Sequence, residues 1–396
     1  MKQHLLYTPE GVRDIYNGEC EKKLYLEEKL HNILRTYGYH PIQTPSFEFF
    51  EVFGKEVGTT KSKDLYKFFD REGNTLVLRP DLTPSIARFV ANYYMEETMP
   101  LRFCYKGNTF INTGSLQGRL RECTQLGSEL IGDRTPDADA EILSMVVECL
   151  LGAGLKDFQI SIGHAGVLRG MMEAAGLDED EEERLRDLIR NHNFFGVEGF
   201  LASRHLDADL KQLFSMLGQL YQSADEFREV KKTARKYPDV FGALEHLEKL
   251  QSLVLLYGID KYISFDLGVV SSYQYYSGMI FNGYTFGSGE PIVKGGRYDK
   301  LLNHFGKDAP AIGFVIVIDQ LMAALARQNI PTPGMQKNQL VVYDEAHRED
   351  AIIYAKKRRA SGCSVELVCC ADGLARDDYQ AYAKRNQIAR VQFMGV

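Results

Sequence analysis

From Arg121 to Leu130 the chain reads Arg-Glu-Cys-Thr-Gln-Leu-Gly-Ser-Glu-Leu. If this stretch is one strand, alternation puts Arg121, Gln125, Gly127 and Glu129 on one face and Leu126 and Leu130 on the other. Polar groups facing a sheet core must be satisfied internally or bind something. Glu129 can hold an ammonium, Gln125 an amine or a carboxylate, and Arg121 a negative group. The competing reading is an internal Arg-to-Glu network on a solvated sheet face.

Three further segments carry chemistry-bearing side chains. Arg79-Pro-Asp-Leu-Thr83 sets an Arg, an acid and a hydroxyl just past a strand end, where ligand-contacting turns are common; the alternative is that Thr83 caps the helix entered at Pro84. Gly295-Gly-Arg-Tyr-Asp299 places an Arg beside backbone that allows close approach, either folded toward a carboxylate or exposed on a tight turn. Tyr273, Tyr275 and Tyr276 lie in an aromatic-rich stretch; in a strand, Tyr275 and Tyr276 face opposite ways, so one of them can point into a pocket. Between Asn108 and Arg121 runs a polar loop with Asn112, Gly114, Ser115, Gly118 and Arg119. Phosphate-loop, dinucleotide, zincin and nucleophile-elbow motifs are absent, and the nine His show no metal-ligand spacing.

Elements able to position these residues follow from periodicity. Leu24, Leu26, Leu30, Ile33 and Leu34 recur at helical spacing between Asn17 and Tyr37, and Gly38 stops that helix. The prolines and phenylalanines of Pro41 to Phe53 suggest an extended, irregular segment. Strands are expected at Thr75 to Arg79, Leu101 to Tyr105, Arg121 to Ile131, Phe158 to Ile162, Tyr262 to Val270, Tyr273 to Tyr284 and Ala311 to Ile318, with helices over Asp137 to Leu151 and Leu321 to Arg327. Residues 167 to about 255 read almost wholly helical. After the Pro331 to Gly334 linker, alternating strands and helices make a small α/β unit.

A length of 396 residues corresponds to roughly two or three domains. With 47 Lys plus Arg against 54 Asp plus Glu, the net charge of -7 does not favour a polyanionic partner. The seven cysteines are scattered without a Cys-x-x-Cys pair, which argues against a disulfide scaffold and fits a reducing cytoplasm. No apolar stretch approaches the roughly 20 residues that span a bilayer, and an apolar signal core is not expected.

These segments fall in the order and spacing of the class II aminoacyl-tRNA synthetases, and residues 1 to about 328 resemble histidyl-tRNA synthetase. Tyr39-His-Pro-Ile-Gln-Thr-Pro-Ser-Phe-Glu48 is similar to that family's first motif, which forms its dimer interface. Leu76 to Thr83 resembles its histidine-contacting turn, Phe103 to Gly132 its second motif, Gly268 to Phe281 its first histidine-specific motif, and Lys294 to Asp299 part of the segment after it. The resemblance implies an α+β fold, an antiparallel sheet flanked by helices, with a helical insertion at about 167–255. A linker at 329–338 and a reduced C-terminal α/β domain at 339–396 would follow.

Departures narrow the resemblance. Where the synthetases carry a phosphate-gripping Arg after the Phe of the second motif, and an acid two positions later, this chain has Ile111 and Thr113; an isoleucine cannot neutralise phosphate. The motif that normally reads Arg-Gly-Leu-Asp-Tyr-Tyr is here Ser271-Ser-Tyr-Gln-Tyr-Tyr276, without its Arg. The C-terminal unit is short, and nine Lys or Arg against eight Asp or Glu over residues 339–396 leave it without an RNA-gripping charge.

That combination resembles the regulatory-subunit family of ATP phosphoribosyltransferase, paralogues of histidyl-tRNA synthetase. The resemblance implies a non-catalytic protein without cofactor or metal. It implies a histidine site made by Asp81, Thr83, Arg121, Gln125, Glu129, Tyr275 and Tyr276. The expected partner is the short-form catalytic subunit of ATP phosphoribosyltransferase, in a cytoplasmic hetero-octamer acting at the first step of histidine biosynthesis. There the regulatory chain supports activity and mediates feedback inhibition by histidine. Self-association through the synthetase-like dimer interface is expected, tRNA and membrane binding are not. The alternatives are an atypical histidyl-tRNA synthetase or amino-acid-activating enzyme, with Arg119 or Arg121 replacing the missing Arg, and an accessory subunit of another assembly.

Overall fold

The computed structural model describes residues 3–54, 60–114, 120–202, 204–222, 224–270, 275–332, 338–371 and 373–396. The chain divides into two compact units, one of Met1–Val12 with Lys29–Pro331 and one of Arg13–Glu28 with Thr332–Val396. Helix α1 (Asn17–Thr36) contributes to both. The grouping of Arg13–Glu28 with the C-terminal residues differs from the expected boundary and reflects tertiary approach: Gly18 sits where a Cβ would strike the Gln387 side chain.

In the larger unit β1 (His40–Pro41) and β2 (Phe47–Phe49) come from the proline-rich stretch, followed by β3 (Lys67–Phe69) and β4 (Thr75–Leu78). Strands β2, β4 and β3 make a small antiparallel sheet. Helix α2 (Thr83–Tyr93) leads to the long hairpin of β5 (Leu101–Phe110) and β6 (Glu122–Ile131). Next is α3 (Pro136–Ala153), which starts on a first-turn proline with Asp137 and Asp139 near its positive end and stops at left-handed Gly154, φ 103°. Strand β7 (Phe158–His164) precedes a run of helices: α4 (Ala165–Ala174), α5 (Glu179–Arg190), α6 (Phe194–Ala202), α7 (Ala208–Ser215), α8 (Ala224–Thr233) and α9 (Pro238–Leu256), with a two-residue β8 (Leu220–Tyr221) between α7 and α8. Asp178 and Glu181 close a capping box on α5, so part of its acidic run has a local role.

The chain then returns to the sheet through β9 (Ile263–Asp266), β10 (Met279–Thr285), β11 (Val293–Arg297) and β12 (Ala311–Val317), and the unit ends in α10 (Ile318–Arg327). The main sheet has the order β1-β5-β6-β12-β11-β10-β7-β9-β8. Its pairings are antiparallel except β1 with β5 and β7 with β9. Leu126, Leu130, Ile160, Ile162, Ile312 and Ile316 are fully buried within it. This is the α+β architecture expected, with helices against an antiparallel sheet.

The smaller unit carries β13 (Gln339–Tyr343), α11 (Arg348–Ala360), β14 (Val365–Cys369), α12 (Arg376–Arg385) and β15 (Arg390–Met394). Its sheet runs β14-β13-β15, all parallel, with Leu340, Val341 and Val342 buried on both faces of the middle strand.

Two expectations need correction. Gly295-Gly296-Arg297 forms β11, a central strand, and Arg297 is buried, so the tight turn with a surface Arg is wrong. Glycine is required there for close packing: a Cβ at 295 would meet the Phe281 ring and one at 296 the Tyr276 ring. Tyr275 and Tyr276 precede β10 and do not face opposite ways; their ring centroids lie 4.8 Å apart. Residues 271–274, including Tyr273, lie outside the described residues.

Candidate functional site

Glu129 stands in the middle of the main sheet, paired with Phe103 on one side and Gly313 on the other, and is 1% exposed. A Cβ on residue 313 would run into its carboxylate, so glycine in β12 makes the space it occupies. Three hydroxyls donate to the carboxylate: Thr83 at 2.7 Å and Tyr105 at 2.9 Å to Oε1, and Tyr298 to Oε2. No Lys or Arg among the described residues pairs with it. Burial pushes its pKa up to about 7, against the lowering by the hydroxyls of Tyr298, Thr83 and Tyr105. Burial and the neighbouring carboxylate likewise hold the Tyr105 and Tyr298 phenols well above their ordinary values.

Asp81 is the second buried acid. Its Oδ1 accepts the backbone N–H groups of Leu82 at 2.7 Å and Thr83 at 3.3 Å, and its Oδ2 accepts from the Tyr275 hydroxyl at 3.4 Å. One oxygen thus serves the entry to α2 while the other faces the tyrosine. Burial again raises the pKa, offset in part by the N–H groups of Thr83 and Leu82. Thr83 does not cap α2: its hydroxyl goes to Glu129, and the first position carries no side-chain cap.

Asp81, Thr83, Glu129, Tyr275, Tyr276, Lys294, Tyr298, Gly313, Phe314 and Val315 line one narrow cavity. Five of the seven expected site residues are therefore brought together. Gln125 is on the Glu129 face of β6 but outside that lining; it is 8% exposed, and its amide oxygen has no partner among the described residues. Arg121 is also outside it. Its backbone N–H donates to the Gly11 carbonyl at 2.7 Å, its stem packs over Gly11, and its guanidinium is 3.8 Å from Glu10. The solvated Arg-to-Glu network does not form, because both faces of β6 are covered.

Sequence reasoning missed Tyr105, Tyr298 and Lys294. Strand pairing, which the sequence does not show, places two of them: Tyr105 pairs with Gly127 across β5 and β6, and Lys294 pairs with Val315 across β11 and β12. Arg79 was expected at a ligand turn, but its guanidinium donates to the carbonyls of Thr44 at 2.8 Å, Pro45 at 3.0 Å and Asn108 at 2.8 Å. It ties β4 to its neighbours.

Further along the β5–β6 hairpin, the Ile111 N–H donates to the Arg121 carbonyl at 2.9 Å and the Asn112 N–H to the Asp64 carbonyl at 2.9 Å. No cationic side chain stands at 111 or 113. Residues 115–119, Arg119 among them, lie outside the described residues. Among the described residues no group of three or more His, Cys, Asp or Glu could hold a metal ion, and no helix is long and apolar enough to cross a membrane.

On the opposite face of the sheet, Arg297 Nε donates to Asp139 Oδ1 at 3.0 Å and a terminal nitrogen of Arg297 contacts the same oxygen. His246 Nε2 lies 2.5 Å from Asp139 Oδ2. Nearby, burial and the charges of His246, Arg169 and Arg297 push the His164 pKa down to about 3.

Known proteins share this chain's sequence pattern and fold. The family model described as histidyl-tRNA synthetase matches residues 11–321. An ATP phosphoribosyltransferase regulatory subunit of Acetivibrio thermocellus is 40% identical over 370 residues, covering 93% of this chain and 88% of that protein. The crystal structure of an ATP phosphoribosyltransferase regulatory subunit/histidyl-tRNA synthetase from Bacillus halodurans superposes with a TM-score of 0.85 at 32% identity over 99% of both chains. A histidyl-tRNA synthetase from Nostoc shares the fold, with a TM-score of 0.79 at 21% identity, over 97% of this chain and 90% of that one.

Proposed function

Since the chain belongs to the family of ATP phosphoribosyltransferase regulatory subunits, built on the histidyl-tRNA synthetase fold, we propose that it binds histidine between β6 and β12 and relays that binding to a catalytic partner. It is a non-catalytic regulatory subunit. Its partner is the short-form catalytic chain, whose activity it supports at the first step of histidine biosynthesis and which it inhibits when histidine is bound, in the cytoplasm. The reading is carried by one observation: Glu129 is buried among hydroxyls, and no Lys or Arg among the described residues pairs with it. A carboxylate so placed gains most from an incoming ammonium or imidazolium, since a charge-assisted hydrogen bond in a dry site is stronger than a neutral one.

Asp81 and Thr83 belong to the same ligand site, with Gln125 at its edge and Tyr275 and Tyr276 along its wall. Arg121 acts from outside that lining. The phosphate side supports a binding role, since Ile111 and Thr113 offer nothing to a triphosphate. Self-association uses the small sheet, where Phe47, Phe49 and Phe69 are 51%, 53% and 72% exposed.

The test is phosphoribosyltransferase activity of the short-form catalytic chain, assayed alone, with this protein, and with this protein plus histidine. Activity is expected only in the second mixture. Activity unaffected by this protein, or histidine-dependent exchange of pyrophosphate into ATP by this protein alone, would overturn the reading in favour of an activating enzyme.

A further inference from the structure

We propose that Lys294 receives the ligand's carboxylate, so that the amino acid is held as a zwitterion between Lys294 and the acids Asp81 and Glu129. This rests on the histidine-binding reading and adds to it a residue that decides which ligands are accepted. Lys294 is the one Lys or Arg in the cavity lining given by the described residues, and it shares that lining with both acids. None of the described residues forms an ion pair with its ammonium.

Strand register puts it on the correct face. Lys294 pairs with Val315, Val315 with Gly127, and Gly127 with Tyr105, and paired residues of neighbouring strands project to the same side. Tyr105 hydrogen-bonds Glu129, so Lys294 and Glu129 share a face, with one strand, β12, between theirs. In the other direction Lys294 pairs with Asn282 and Asn282 with Ser161. The Ser161 hydroxyl is buried and lacks a partner among the described residues. Cation, amide and hydroxyl thus follow one another along a row that leads away from the cavity, and of the three Lys294 is the one in its lining.

The alternatives for that anion are engaged elsewhere. Arg297 points through the opposite face to Asp139, Arg79 is committed to backbone carbonyls, and Arg121 lies beside Glu10 and Gly11. A site with two buried acids and no cation would take amines in general. With Lys294 it discriminates amino acids from amines and amino alcohols, because each charge of the zwitterion finds its opposite.

Calorimetry with histidine and with histidinol, which keeps the ammonium and imidazole but carries a hydroxymethyl in place of the carboxylate, separates the possibilities. The wild-type chain is expected to prefer histidine by at least roughly tenfold. Lys294→Met should erase that preference by weakening histidine alone, and Lys294→Arg should restore part of it; Lys294→Gln serves if the methionine variant does not fold. Histidine affinity unchanged in the variant would overturn the role of Lys294 and leave the pocket standing, and equal weakening of both ligands would reduce it to packing. A wild-type chain that binds neither ligand would overturn the histidine reading itself.

Discussion

Asp139 and Glu129 are both buried carboxylates, at 0% and 1% exposure, on opposite sides of one sheet, and their partners differ in kind. Asp139 is answered by Arg297 and His246. Glu129 is answered by Thr83, Tyr105 and Tyr298, which supply dipoles and no charge. A saturated ion pair fixes α3 and α9 against β11 and leaves nothing for a ligand. An acid solvated only by hydroxyls has a vacancy for positive charge. Burial is common to both, so what would separate the structural acid from the proposed binding acid is whether its counter-charge belongs to the protein.

The sharpest way to break this contrast is to remove the counter-charge of Asp139. Arg297→Met should cost about 3–5 kcal/mol of stability in urea unfolding, as expected when one partner of a buried pair is lost. A loss below about 1 kcal/mol would mean that His246 and the backbone suffice.

Next in size is the pH dependence set by Glu129. A carboxyl whose pKa is raised on folding, here to about 7 from 4.5, contributes stability that is complete below the unfolded value and is lost as pH climbs toward 7. Relative to Glu129→Gln, the wild-type chain should lose on the order of 3 kcal/mol between those limits, read from denaturant midpoints across the pH range. Parallel profiles for the two proteins would show that Glu129 titrates normally.

Ligand affinity is expected to respond somewhat less. Glu129→Ala should weaken histidine by about 1.5–3 kcal/mol, the value of a charged hydrogen bond, measured calorimetrically at pH 8 where the acid is ionised. Unchanged affinity would remove Glu129 from the site. The smallest effect belongs to Tyr105→Phe, which deletes one of the three donors and should cost about 0.5–1.5 kcal/mol of binding. Because that hydroxyl favours the ionised acid, its loss should also move the pH midpoint of binding upward; a downward move would contradict the hydrogen-bond assignment.

The Glu129 side of the comparison was legible in the sequence and the Asp139 side was not. Alternation along β6 placed Glu129, Gln125 and Gly127 on one face before any coordinates, because a strand's side-chain period is fixed by its backbone. Asp139 was not singled out within the helix expected over Asp137 to Leu151, and its partner Arg297 was hidden behind a Gly-Gly pair that reads as a turn. Local signals assign glycines to turns by default, whereas these two admit the rings of Phe281 and Tyr276 against a central strand. Tyr105 and Tyr298 escaped notice because aromatic residues usually report packing, and only tertiary approach reveals their hydroxyls converging on one acid. The shared orientation of Tyr275 and Tyr276 was missed for a related reason, since strand alternation does not apply ahead of β10.

Arg297 and Tyr298 are consecutive in the chain, yet one reaches Asp139 behind the sheet and the other Glu129 in front. A single peptide unit therefore works like a rivet through the sheet, with its two heads in the two layers. If histidine binds as proposed and draws on Glu129, the load on Tyr298 is expected to reach Arg297 and Asp139 through the one peptide unit that joins them.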